Sequence, residues 1–132
     1  MAHKRLLIHI IILMFLIVLL DKGANKFYWQ NSVWYFDIIM HFLGGVWVGF
    51  FFIYVYSPLQ RVTRPVLKVL LSVFLIGISW EIFEFVVNNV IGRIPFDAGD
   101  TLSDIFWDLT GGLIATFYFF KFIMPSSENK IQ

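Results

Sequence analysis

Four long apolar stretches divide the chain, at about 6–20, 33–56, 66–90 and 101–124. A helix needs about 20 mainly apolar residues to cross a bilayer core. The last three runs meet that length, and the first, though short, extends backwards to His3. Membrane barrels use strands of about 10 alternating residues, and these runs are too long and too continuous for that. The pattern predicts an all-α polytopic membrane protein with four transmembrane helices in a bundle. They would form one domain over residues 1–124, followed by a polar cytoplasmic tail over 125–132 that begins at Pro125. The first run follows Lys4 and Arg5, as a signal peptide would. The stretch Leu20-Asp21-Lys22-Gly23-Ala24 offers no convincing small-x-small cleavage site, so a retained helix is expected.

Composition supports that class. Of the 132 residues, 59% are hydrophobic and only 14% charged, too little polar surface for a soluble domain of this size. Aromatic residues make up 20%, and Tyr28, Trp29, Trp34 and Tyr35 read as an interfacial belt. There is no cysteine, which removes disulfide and thiolate chemistry. A net charge of +1 gives no footprint for nucleic acid. Lys4, Arg5, Arg61, Arg64, Lys68, Lys121 and Lys130 fall on one side of the predicted spans, and Lys22, Lys26 and Arg93 on the other. The positive-inside rule then places both termini in the cytoplasm, in a multi-pass protein of the plasma membrane.

Against this background six carboxylates stand out: Asp37, Glu81, Glu84, Asp100, Asp104 and Asp108, with no Lys or Arg among them. An ionisable residue inside a span is costly and marks a site by default. With the helices running in alternate directions, all six fall in the outer halves of the second, third and fourth spans, and His41 joins them. Positions three, four and seven apart share a helix face. That rule gives three stripes: Asp37, His41, Gly44, Gly45 and Val48; Gly77, Glu81, Glu84 and Asn88; and Asp104, Asp108, Gly111 and Ala115. At 1.5 Å per residue, His41, Glu81 and Asp108 lie about one turn deeper than Asp37, Glu84 and Asp104. Two stacked polar layers are expected, opening outward as a cleft, with the glycine-rich inner halves closed together. The first helix carries no acid in its span and should pack around this core.

Structural explanations compete with functional ones for some of these residues. Thr101-x-x-Asp104 fits a capping box and Asp100 could cap the fourth helix, so the rim acids have a purely local reading. Protonated Glu81 or Glu84 could simply bond across helices, because two acids one turn apart repel when both are ionised. His9, isolated near the cytoplasmic end of the first helix, reads as a bystander. Arg93 could meet an anionic substrate or pair with Asp97. Asp108 has no capping explanation.

One imidazole among carboxylates suits a divalent ion such as Mg, Mn or Zn. The metal ligands would come from Asp37, His41, Glu81, Glu84, Asp104 and Asp108. Glu81 and Asp108 are the candidate catalytic acids and bases of a metal-assisted hydrolysis. The cleft would lie near the headgroups, which points to a lipid or envelope component as substrate. Two alternatives stand: a binder or transporter of a cation or cationic solute, and a structural or accessory subunit with hydrogen-bonded acids. A continuous conduit would need polar groups in the inner halves, which offer little besides Ser72 and Gly. The bilayer is the expected partner, nucleic acid is not, and a homo-oligomer is compatible with the pattern.

Asp37-x3-His41-Phe42-x-Gly44-Gly45, Trp80-Glu81-x2-Glu84, Asp100-Thr101-x2-Asp104 and Asp108-x2-Gly111-Gly112 together resemble the YjdF-like (DUF2238-type) family of small bacterial and archaeal membrane proteins. They are similar, more distantly, to VanZ-like proteins, from which Asp108 (where Asn is usual) and the second acid Glu84 depart. The resemblance covers about residues 36–115. It implies an integral membrane protein and carries no defined activity with it.

Overall fold

The computed structural model describes residues 2–56, 65–92 and 95–124. Arg61, Arg64, Arg93, Lys130 and the whole tail at 125–132 lie outside the described residues. Five helices follow in order: α1 (Ala2–Phe27), the single turn α2 (Trp29–Ser32), α3 (Phe36–Tyr56), α4 (Pro65–Val87) and α5 (Ala98–Tyr118). A π-helical turn extends α4 over Asn88–Gly92, and another extends α5 over Phe119–Ile123. No strand occurs among the described residues, so the chain is all-α. α1, α3 and α4 with its π turn are long and apolar enough to cross a bilayer. α5 is less clearly apolar because Asp100, Asp104 and Asp108 interrupt it.

The helix ends differ from those the apolar runs suggest, and the capping chemistry explains why. α1 continues past Asp21 because polar residues are compatible with helix; Asn25 Nδ2 donates to Asp21 Oδ2 one turn back at 3.4 Å. It stops at Tyr28, which sits in the left-handed region with φ 56°. That region suits Gly at a helix end and costs other residues about 1 kcal/mol or more. The residues around this corner pair with one another: Phe27 stacks on Trp29 at 5.6 Å, and Trp29 meets Phe36 edge-on at 6.2 Å. α5 starts three residues before the expected span. Its cap is Asp97, whose Oδ1 accepts from the amides of Gly99 at 2.8 Å and Asp100 at 3.3 Å. The capping role expected of Asp100, and the Thr101–Asp104 box, are therefore corrected: both residues lie inside the helix, and Asp104 is buried.

α3 and α5 form the most extensive pair, and α3 also packs against α1 and α4. The α3–α5 contact is backbone to backbone. A methyl group on Gly45 would strike the Asp108 carbonyl, and one on Gly111 would strike the Phe42 carbonyl oxygen. A methyl on Gly49 would come within 2.9 Å of Ala115 Cβ. Small residues at this spacing let membrane helices approach closely, so that dispersion and weak polar contacts replace the absent hydrophobic driving force. Gly112 faces the third member of the core, since a methyl there would lie 2.8 Å from Val73 Cγ2 on α4. Below the glycines the core is Phe50, Ile53, Val69, Val73, Ala115, Phe119 and Ile123, with Leu6 and Ile10 of α1.

Two outcomes check this packing. Gly45→Leu should lower stability on the order of 3 kcal/mol or prevent folding, because overpacking at a backbone contact leaves no rotamer escape. Gly44→Leu, at a site where an added Cβ meets nothing within 4 Å, should melt near the parent in detergent; equal melting of the two variants would overturn the close approach. Asp97→Ala should cost about 1 kcal/mol through loss of the cap. Thr101→Ala should leave the melting curve almost unmoved.

Candidate metal centre

The α3–α5 contact carries the acids to the histidine. His41 lies in the second turn of α3, directly before the Phe42 carbonyl that Gly111 approaches, and is only 8% exposed. Its Nδ1 is 3.4 Å from Asp108 Oδ1 of α5. Its Nε2 is 3.7 Å from Asp104 Oδ2, one turn earlier on α5, and 3.9 Å from Asp37 Oδ1, one turn earlier on α3. Gly77 of α4 makes room on the far side: a methyl there would come within 2.7 Å of Asp108 Oδ2. Glu81 and Glu84 follow one and two turns along α4. They share with His41 a volume in which one ligand atom from each lies within 4.8 Å of the others.

All six residues read as ligands from the sequence therefore meet around His41, though not as two flat layers. The imidazole is a hub between two sets: Asp37, His41 and Asp104 on one side, His41, Glu81 and Glu84 on the other. Asp108 faces the nitrogen opposite the one that Asp37 and Asp104 share. The cluster grades from a buried floor of His41, Asp104 and Asp108 to exposed Asp37 and Glu84 at the rim. Asp100 stays in the exposed first turn of α5 and joins neither set. His9 is remote from the cluster, with Nδ1 2.7 Å from the Arg5 carbonyl and Nε2 3.5 Å from the Tyr118 hydroxyl.

The donor set fits a divalent ion. Ligand atoms about 2.1 Å from a shared ion lie roughly 3–4 Å apart. Either set needs only rotamer-scale movement to close to that distance. Glu81 supplies an independent sign: its Oε1 is buried and has no hydrogen-bond partner among the described residues. A buried carboxylate oxygen without a donor is costly, and a cation removes the cost. A buried His/Asp group in this chain could thus hold a metal ion.

Sequence patterning missed three features around the cluster. Asp37, His41, Glu84 and Asp108 of the cluster line a cavity of about 780 Å³ between α1, α3 and α4, within the ordinary size range of ligand sites. Asp21 and Trp34, read as a span end and a membrane belt, line it too. The half of the bundle away from the cluster is also less inert than its composition suggests, since the hydroxyls of Tyr56 and Ser72 lie 2.9 Å apart and tie α3 to α4. None of these has a sequence signal, because each depends on which helix lies beside which.

Comparison with known proteins bears on the family. A protein from Thermotoga maritima (strain MSB8), described as an uncharacterized protein, is 29% identical over 87 residues, covering 61% of this chain and 45% of the relative. The chain thus spans less than half the length of that relative. No solved structure matches. The match to the family described as "Predicted membrane protein (DUF2238)" runs over residues 4–124, nearly the whole chain. It supports the nearer of the two resemblances and does not extend to the VanZ-like one. With several helices of membrane-crossing length and a family match spanning all of them, this is a multi-pass membrane protein that belongs to the DUF2238 family.

Proposed function

We propose that the His41 cluster is a divalent-metal centre, facing the outside of the plasma membrane, that serves hydrolysis of a lipid or envelope component. The observation that carries this reading is the convergence of carboxylates from three helices on the two nitrogens of one buried imidazole. In it, Nε2 of His41 holds the ion (Mg, Mn or Zn) together with Asp37 and Asp104. Asp108 accepts the proton of Nδ1, which sets the tautomer and turns the ring, as carboxylates behind metal-bound histidines do. Glu84 completes the charge at the rim. Such an ion, when bound, supplies Lewis acidity. Glu81, whose buried Oε1 has no donor among the described residues, would lie beside the ion and accept a proton from water.

The same distances favour a second reading. A protonated His41 between Asp37, Asp104 and Asp108 would itself be the cation that the acids lack, making the cluster a structural or cation-handling element. Metal analysis separates the two. Purified protein should carry close to one equivalent of divalent metal, lost in His41→Ala and Asp104→Ala. Absence of metal, with no change in melting temperature on adding Mg, Mn or Zn, would overturn the metal reading.

Orientation is tested separately. The chain has no cysteine, so single-cysteine variants report without background. A Trp34→Cys variant, at a position 83% exposed beside the cluster, should react with a membrane-impermeant maleimide on intact cells. Labelling only after permeabilisation would place the cluster on the cytoplasmic side and overturn the outward cleft.

A further inference from the structure

The cavity exists because α1 stands away from α4 between two docked ends, Leu6 and Ile10 at one and Ala24 at the other. Its first half docks firmly on α3: Leu6 and Ile10 are buried, the His3 ring lies 4.1 Å from that of Tyr54, and the Trp47 indole donates to the Ile10 carbonyl at 3.1 Å. From there to Ala24 no residue of α1 is buried, and α1 makes no substantial contact with α4. The gap between them is floored by α3 from Phe36 to Val48, 12 residues along, or about 18 Å at 1.5 Å per residue. That exceeds half of a hydrocarbon core about 30 Å thick.

The walls show where the gap opens. Ile76, Trp80 and Phe83 of α4 line the cavity, yet are 47%, 53% and 57% exposed. They form a lip rather than an interior, so the groove opens sideways, toward the bilayer that surrounds a multi-pass protein. The lining is two-ended. Asp37, His41, Glu84, Asn88 and Asp108 gather at one end, and apart from Asp21 of α1 the remainder is apolar. A small polar solute would leave the apolar trough unfilled, and a plain hydrocarbon would leave the acids unanswered. An amphiphile satisfies both. No Lys or Arg lines the cavity, so the carboxylates would repel an anionic headgroup unless a bound cation intervened.

We propose that the groove binds one hydrocarbon chain of a phosphate-headed membrane lipid, admitted from the bilayer between α1 and α4, with the phosphate meeting the divalent ion at the His41 cluster. This rests on the metal-centre reading and names its substrate class. Gly44 gives the sharpest handle. It lines the groove, and an added Cβ there meets nothing within 4 Å, so a large side chain fills the trough without disturbing the α3–α5 contact.

The test uses the full chain in detergent with Zn²⁺ and a pyrene-acyl phosphatidic acid, read by energy transfer from tryptophan; Trp34, Trp47 and Trp80 line the cavity. Transfer should saturate with zinc and weaken at least tenfold in EDTA, or when a pyrene-acyl diacylglycerol replaces the phosphatidic acid. Gly44→Phe and Ile76→Phe should each weaken it tenfold while leaving zinc content and melting temperature unchanged. Should Gly44→Phe fail to fold, the lip variant Ile76→Phe carries the test alone. Unaltered transfer in the folded variants means an adventitious lipid only and overturns the groove. Zinc binding with transfer indifferent to EDTA overturns the headgroup contact and leaves the metal centre standing. Failure to bind zinc or another divalent ion overturns the metal centre itself, while variant-sensitive transfer in that protein would still uphold the groove.

Discussion

The backbone contact between α3 and α5 governs the rest of the molecule. Gly45 rests against the Asp108 carbonyl and Gly111 against that of Phe42, so the two helices touch without intervening side chains. Short polar side chains can bridge helices only when the axes are this close. An Asp reaches little beyond its own helix surface, yet Asp104 and Asp108 both come within 4 Å of the His41 ring. The glycines therefore act as a site-building element as much as a packing one. In a bilayer, where apolar side chains gain little from leaving lipid, such fit is among the main sources of association.

That contact creates an electrostatic problem that shapes the acidic end. Five carboxylates surround one imidazole, in a region where water is partly excluded. Like charges at that spacing resist joint ionisation, and burial of unpaired charge is penalised further. The cluster meets this by grading outward: Asp104 and Asp108 sit against the histidine, while Asp37 and Glu84 keep solvent access at the rim. Glu81 is the member for which the protein alone supplies no donor to its buried oxygen. A cation of two charges answers both the crowding and the orphaned oxygen, whereas one proton on His41 answers only part of it.

α1 plays a different part. Its hydrogen bond from Trp47 and its buried Leu6 and Ile10 dock its first half on α3, and Ala24 is buried again near its far end. Between those ends it leaves a groove lined by Asp37, His41, Glu84 and Asp108 and by the exposed Ile76, Trp80 and Phe83 of α4. The acidic end and the apolar trough thus share one cavity because of how α1 packs.

Apolar run length and the scarcity of polar residues were sufficient to specify an all-α membrane protein, because the bilayer requires every spanning segment to satisfy its own backbone. Helical period then put Asp37 with His41, Glu81 with Glu84, and Asp104 with Asp108, since those relations are local to one helix. Helix ends were less legible: the Asp97 cap and the left-handed Tyr28 depend on loop geometry that hydropathy does not encode. What tertiary structure alone decided is the pairing between helices. Which nitrogen of His41 meets which acid, the position of Gly77 behind Asp108, and the opening of a groove between α1 and α4 all depend on helix rotation and spacing. Those are set by contacts between residues far apart in the chain, and no periodicity within a single helix records them.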